Sequence, residues 1–75
     1  MKIEVLGTGC VDCITHYENT KKAFAESGRS GEVVKVEGIA AMLKYGILSP
    51  PALVIDGQVK SSGGLLSVAA IKELL

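Results

Sequence analysis

The fold is decided near the start of the chain, in the stretch Gly7-Thr8-Gly9-Cys10-Val11-Asp12-Cys13. The segment before it, Lys2 to Leu6, has the apolar content of a strand. Two glycines in three residues, Gly7 and Gly9, then mark a tight turn. After the turn the apolar spacing becomes helical, and Gly28 is expected to end this helix. Its predicted buried face holds Cys10, Cys13, Ile14, Tyr17, Phe24 and Ala25.

The rest of the chain alternates further strand and helix patterns. Asp56-Gly57 is a strong hairpin signal between two of the strands. The predicted elements are a strand Glu32 to Glu37, a helix Gly38 to Tyr45, a buried strand Ala52 to Ile55, a strand Gln58 to Lys60 and a last helix capped by Ser67. The order βαβαββα predicts one α/β domain over residues 1–75, with a four-stranded mixed sheet flanked by helices.

Composition excludes several classes of protein. The chain has 75 residues, 48% of them hydrophobic, which is too apolar for a disordered segment. Eight basic and eight acidic residues cancel, which argues against a nucleic-acid binder. The longest apolar run, Ile39 to Leu43, is far shorter than the roughly 20 residues of a membrane span. No signal-peptide pattern precedes the first strand. We therefore expect a cytoplasmic domain that binds neither nucleic acid nor membrane.

The two cysteines, Cys10 and Cys13, are predicted to serve chemistry rather than stability. A disulfide that closes so short a loop stabilises by only about 2 kcal/mol in the chain-entropy model. Residues three apart in the first turn of a helix lie on one side, so the two sulfurs can meet. The unpaired N–H groups at the helix start stabilise a thiolate. We expect Cys10 to be the nucleophile and Cys13 the resolving thiol.

The cysteine motif together with the segment Leu48-Ser49-Pro50-Pro51-Ala52 and the Asp56-Gly57 hairpin resembles the small thioredoxin-like redox proteins of bacteria and archaea. The resemblance covers essentially the whole chain. It implies a thioredoxin-like fold in which a cis-proline faces the dithiol. Pro51 best matches that position because it directly precedes the buried strand, and Pro50 is the rival assignment.

The resemblance also implies an activity. The chain is expected to reduce protein disulfides, to be recharged by a thioredoxin-reductase-like flavoprotein, to hold no bound cofactor or metal, and to act as a monomer. The residues depart from the common pattern in two respects. Asp12 places a negative charge between the cysteines, which should raise the pKa of Cys10 and favour a reducing potential. Pro50 has no N–H to offer a substrate backbone, which should weaken the docking of extended polypeptide.

Two further residues have alternative interpretations. Glu4 lies six residues before Cys10, the offset of the buried carboxylate in ordinary thioredoxins, and is either a proton acceptor for Cys13 or an exposed strand residue. His16 lies three residues after Cys13 and is either a metal ligand or, as we favour, a solvated helix residue.

The alternative function is a soft-metal module or chaperone that binds Cu(I) through Cys10 and Cys13. Such modules are of similar length and also place two cysteines after the first strand. Their element order is βαββαβ, however, and they carry a methionine where this chain has Thr8. A structural zinc site is disfavoured because four ligands are expected and only two thiols and one histidine are available.

Overall fold

The computed structural model describes residues 1–9 and 11–75. The observed elements are β1 Lys2–Gly7, α1 Val11–Ser27, β2 Glu32–Glu37, α2 Ile39–Lys44, β3 Ala52–Ile55, β4 Gln58–Ser62 and α3 Val68–Leu74. The predicted βαβαββα order is confirmed, with boundaries that move by two residues at most. Within the described part of the chain, no helix is long and apolar enough to cross a membrane.

The strands form a mixed sheet in the order β2-β1-β3-β4. β1 pairs with β2 in parallel and with β3 antiparallel, and β3 pairs with β4 antiparallel. β1 and β2 can run parallel because helix α1 connects them and returns the chain to the same end of the sheet. The Asp56-Gly57 turn produces the hairpin, with a positive φ at both residues. The turn is also tied to β1, because the N–H of Lys2 donates to Oδ1 of Asp56 at 2.8 Å.

The sheet separates two apolar clusters because successive strand residues point to opposite faces. The cluster on the face covered by α1 and α3, the α1 face, consists of Ile3, Val5, Ala23, Leu53, Ile55 and Ile71. The cluster on the face covered by α2, the α2 face, consists of Leu6, Met42, Ile47, Ala52 and Val54. β1 and β3 contribute to both clusters, which makes them the buried centre of the sheet.

The buried face of α1 differs from the predicted one. The structure buries Cys13, His16, Thr20 and Ala23, whereas Ile14 and Ala25 are exposed. The prediction of a solvated His16 is therefore wrong. The buried residues follow one another at intervals of three, four and three, which is helical spacing. Apolar content did not reveal this face because two of its four residues are polar.

The ends of the helices follow the local sequence signals. α1 ends at Ser27, and Gly28 has the positive φ (72°) that glycine adopts without strain. The Ser67 side chain accepts a hydrogen bond from the N–H of Ala70 at 3.2 Å and caps α3, as predicted.

Candidate functional site

Cys13 lies in the first turn of α1, directly against the end of β1. Its side chain is 4% exposed. A Cβ placed on Gly7 would lie 2.7 Å from both Cβ and Sγ of Cys13, closer than real contacts permit. Gly7 is therefore needed for space, since any side chain there would push α1 away from the sheet. The glycine read from the sequence as a turn residue thus has a second role, to hold Cys13 against β1.

Cys13 is disulfide-bonded in this structure. Cys10, the predicted nucleophile, lies outside the described residues. The pairing of Cys10 with Cys13 and the lowered pKa of Cys10 therefore remain predictions. Asp12, the second residue of α1, is exposed and is the acidic residue of the first turn. Its carboxylate lies at the end of the helix where negative charge is favourable.

The proline segment reaches the same end of the sheet. The peptide bond between Pro50 and Pro51 is cis, which makes Pro51 the cis residue. Leu6 pairs with Ala52, so the preceding Pro51 comes beside Gly7, the residue that contacts Cys13. The carbonyl of Pro51 accepts a hydrogen bond from the N–H of Gly63 at 3.0 Å. Strand register thus places the buried Pro51 at the end of the sheet where α1 begins.

A pocket beside Cys13 brings in two residues that the sequence analysis did not single out. It is lined by Val5, Leu6, Gly7, Gly9, Cys13, Lys35 and Glu37. In the parallel ladder Lys35 lies beside Val5 and Glu37 beside Gly7. Nζ of Lys35 is 3.2 Å from Oε1 of Glu37 and 5.8 Å from the centre of the Tyr17 ring. Alternate residues of a strand share a face, so the spacing of Val33, Lys35 and Glu37 was the signal in the sequence that could have indicated this placement.

Glu4 lies on the α2 face, opposite Cys13. Its neighbours Ile3 and Val5 point into the α1-face cluster, so the alternation of the strand directs Glu4 the other way. Its carboxylate interacts with the Tyr45 hydroxyl, and this interaction raises the pKa of Tyr45. Nζ of Lys2 is 3.6 Å from Oε1 of Glu4. Glu4 is therefore neither beside Cys13 nor freely exposed, because its side chain is 16% exposed.

His16 is the buried basic residue among the described residues of α1. Its side chain is 0% exposed, and burial lowers the pKa of its imidazole. Within residues 1–9 and 11–75, neither Nδ1 nor Nε2 of His16 has a hydrogen-bond partner. The same described residues contain no group of three or more His, Cys, Asp or Glu side chains that could hold a metal ion.

Known proteins resemble this chain over its whole length. The profile of the family described as "Thioredoxin domain" matches residues 1–75. A protein named thioredoxin from Methanothermobacter thermautotrophicus is 35% identical over 75 residues, which are 100% of this chain and 97% of that protein. A protein named thioredoxin from Methanocaldococcus jannaschii is 37% identical over 73 residues, which are 97% of this chain and 84% of that protein.

Proposed function

The chain belongs to the thioredoxin family, which supports a thiol–disulfide oxidoreductase role, and from this premise we propose that it reduces protein disulfides through Cys10 and Cys13. In this proposal the Cys10 thiolate attacks a target disulfide and forms a mixed disulfide. Cys13 then attacks Cys10, releases the reduced target and leaves Cys10–Cys13 oxidised.

The observation that carries the proposal is the burial of Cys13 beneath the start of α1. A cysteine that is 4% exposed is poorly placed to attack an incoming protein. It is better suited to attack a residue only three positions earlier in the chain, because that step needs no access from solvent. Burial thus supports the resolving role for Cys13, and by difference the nucleophilic role for Cys10.

The residues next to the cysteines and the prolines favour a target protein with an apolar surface. Val11, between the cysteines, is 79% exposed, and Leu48, just before the prolines, is 92% exposed. Pro50 precedes Pro51 and has no N–H, so it can only accept a hydrogen bond from a target backbone. We propose that selection among disulfide proteins depends on apolar contact more than on backbone pairing.

The remaining parts of the proposal concern partners. We propose a thioredoxin-reductase-like flavoprotein as electron donor and disulfide-containing proteins as targets. The dithiol itself carries the electrons, so no bound cofactor is required. A monomer suits these steps since each one needs an accessible dithiol, and the cytoplasm suits them because thiols are kept reduced there.

The test is to trap the intermediate with two matched variants. Reduced Cys13→Ser is expected to accumulate a mixed disulfide with a substrate such as insulin, whereas reduced Cys10→Ser is expected to accumulate none. Mass spectrometry after thiol alkylation distinguishes the two. Accumulation by Cys10→Ser instead would reverse the assigned roles. Failure of the wild type to reduce the substrate, combined with tight Cu(I) binding by the dithiol, would favour the metal module.

Backbone docking is tested at Pro50. Pro50→Thr restores an N–H donor, and one added hydrogen bond is worth about 0.5–1.5 kcal/mol. We expect kcat/KM for a protein disulfide to rise by roughly twofold to tenfold. The rate with a small-molecule disulfide, which has no backbone to dock, serves as the control and should not change. An unchanged kcat/KM for the protein substrate would contradict the docking argument.

A further inference from the structure

We propose that His16 accepts the proton of the Cys13 thiol when the mixed disulfide is resolved, an inference that rests on the function proposed above. His16 is fully buried, and neither of its ring nitrogens is hydrogen-bonded to the described residues. Burial of a polar group without a partner is unfavourable. The next buried polar side chain of α1 avoids that penalty, because Oγ1 of Thr20 donates to the carbonyl of His16 at 2.7 Å.

The helix places His16 one turn after Cys13 on the same buried stripe. Residues three apart on a helix have Cβ atoms about 5–6 Å from each other. Helical side chains lean toward the N-terminus and cover the turn before their own Cα. This lean directs the imidazole of His16 toward the turn that holds Cys13.

The other charged groups that face α1 are in contact with solvent or already paired. β1 presents Ile3, Val5 and Gly7, none of which titrates. β2 presents Lys35 and Glu37, whose side chains pair with each other and are 39% and 56% exposed. From α3, Lys72 pairs with Glu26 of α1 at 3.3 Å. His16 is thus the buried base among the groups on this side of the sheet.

The proposed step balances without an added reactant. The Cys13 thiol proton passes to the unprotonated nitrogen of His16, and the Cys13 sulfur forms a bond to the Cys10 sulfur. The bond between Cys10 and the target sulfur breaks, and its electron pair leaves with the target. The target thiolate then takes a proton from the imidazolium or from water, which returns His16 to its neutral form. Burial lowers the pKa of His16, which keeps the ring neutral and able to accept at pH 7.

The first test compares His16→Gln with the wild type in single-turnover resolution of a preformed mixed disulfide between pH 6 and 10. A general base contributes about 10²–10⁴-fold. We expect His16→Gln to resolve about 100-fold more slowly at pH 7. The gap should close above about pH 9, where an ordinary cysteine ionises unaided. Thr20→Val, which alters the next buried polar residue, should keep the wild-type profile, and Glu37→Gln tests the rival acceptor that lines the pocket beside Cys13.

Two outcomes of this test would overturn the proposal. One is a His16→Gln profile that equals that of the wild type. The other is a loss that appears in Glu37→Gln instead, which would assign the proton to Glu37. A wild type that forms no mixed disulfide at all would overturn the proposed function, and with it this step.

A second test needs no substitution in the helix core. His16 is the one histidine of the chain, so its imidazole signals in NMR need no assignment. We expect the pKa of His16 to be lower in the reduced protein than in the oxidised protein, because a hydrogen bond from the Cys13 thiol to the ring nitrogen stabilises the neutral imidazole. The difference should be absent in reduced Cys13→Ala, which keeps Cys10 and has no donor at this position. Equal pKa values in the oxidised and reduced wild type would contradict the proposal.

Discussion

On the α2 face of the sheet the described core is built from apolar side chains, whereas on the α1 face the first helix buries Cys13, His16 and Thr20. The apolar face gains stability in proportion to the area it removes from water. The α1 face gives up part of that gain, since His16 is buried without a partner among the described residues. The difference indicates that both faces bury apolar side chains, and that the first helix adds buried polar side chains beside Cys13 on the α1 face.

The largest expected effect is on stability at the α2 face. Met42→Ala removes a side chain that is 6% exposed and should lower the free energy of unfolding by about 2–5 kcal/mol. The reduction potential should not change, because the α2 face is separated from Cys13 by the sheet. Leu43→Ala is the matched control, because Leu43 is next to Met42 in the sequence but is 69% exposed. This substitution should change the free energy of unfolding by less than about 0.5 kcal/mol. Urea denaturation would measure the stability of both variants, and redox titration would measure their reduction potentials. A shifted potential in Met42→Ala would contradict the separation between the α2 face and Cys13.

The next effect is at the contact between Gly7 and Cys13. Gly7→Ala places a methyl group 2.7 Å from the Cys13 side chain and should destabilise the oxidised protein by about 1–3 kcal/mol. Gly64→Ala is the control, because a Cβ there meets nothing within 4 Å. Thermal unfolding of both variants measures the difference. Equal stabilities would mean that α1 is not held tightly against the sheet.

The third prediction concerns pH. Burial lowers the pKa of His16 below its ordinary 6.5, so below that pH the unfolded chain binds more protons than the folded one. Stability should therefore fall as pH drops from 6.5 toward the folded-state pKa, by at most about 1.4 kcal/mol per pH unit from this residue.

His16→Leu tests this prediction because it fills similar space without a titrating group. The variant should lose this part of the acid dependence and be at least as stable as the wild type at pH 7, since an unpaired polar group is removed. Denaturation curves between pH 5 and 8 would measure both effects. An identical pH dependence in the two proteins would show that His16 is not the source.

The smallest predicted effect is at Asp12. Asp12→Asn removes a negative charge near the predicted thiolate and should make the dithiol couple more oxidising. The residue is exposed, and charges at a helix end are worth about 0.3–1 kcal/mol, so the shift should stay below about 30 mV. Glu18→Gln, an exposed change farther along α1, is the control. Equilibration in graded dithiothreitol buffers measures both, and a more negative midpoint in Asp12→Asn would contradict the prediction.

The sequence predicted the local features well because each depends on a few neighbouring residues. Gly28 ends α1, Asp56-Gly57 turns the hairpin and Ser67 caps α3, since left-handed backbone and side-chain caps are properties of single residues. The βαβαββα order followed from the same signals. The dithiol assignment also came from sequence, through the spacing of Cys10 and Cys13 and the family it resembles.

Which residues meet across the fold was decided by tertiary structure. Glu4 was considered as a proton acceptor for Cys13, yet β1 directs it to the opposite face, where it meets Tyr45. Lys35 and Glu37 reach the Cys13 pocket because β2 pairs in parallel with β1 in one particular register.

His16 shows most clearly the limit of reading hydrophobicity alone. A helix can rotate about its axis with no change in its local hydrogen bonds, so the sequence of α1 by itself determined that it is a helix and where it ends. Packing against β1 and α3 decided which stripe is buried. Because Cys13 must lie against Gly7, the stripe that follows at helical spacing carries His16 and Thr20 into the interior whatever their polarity.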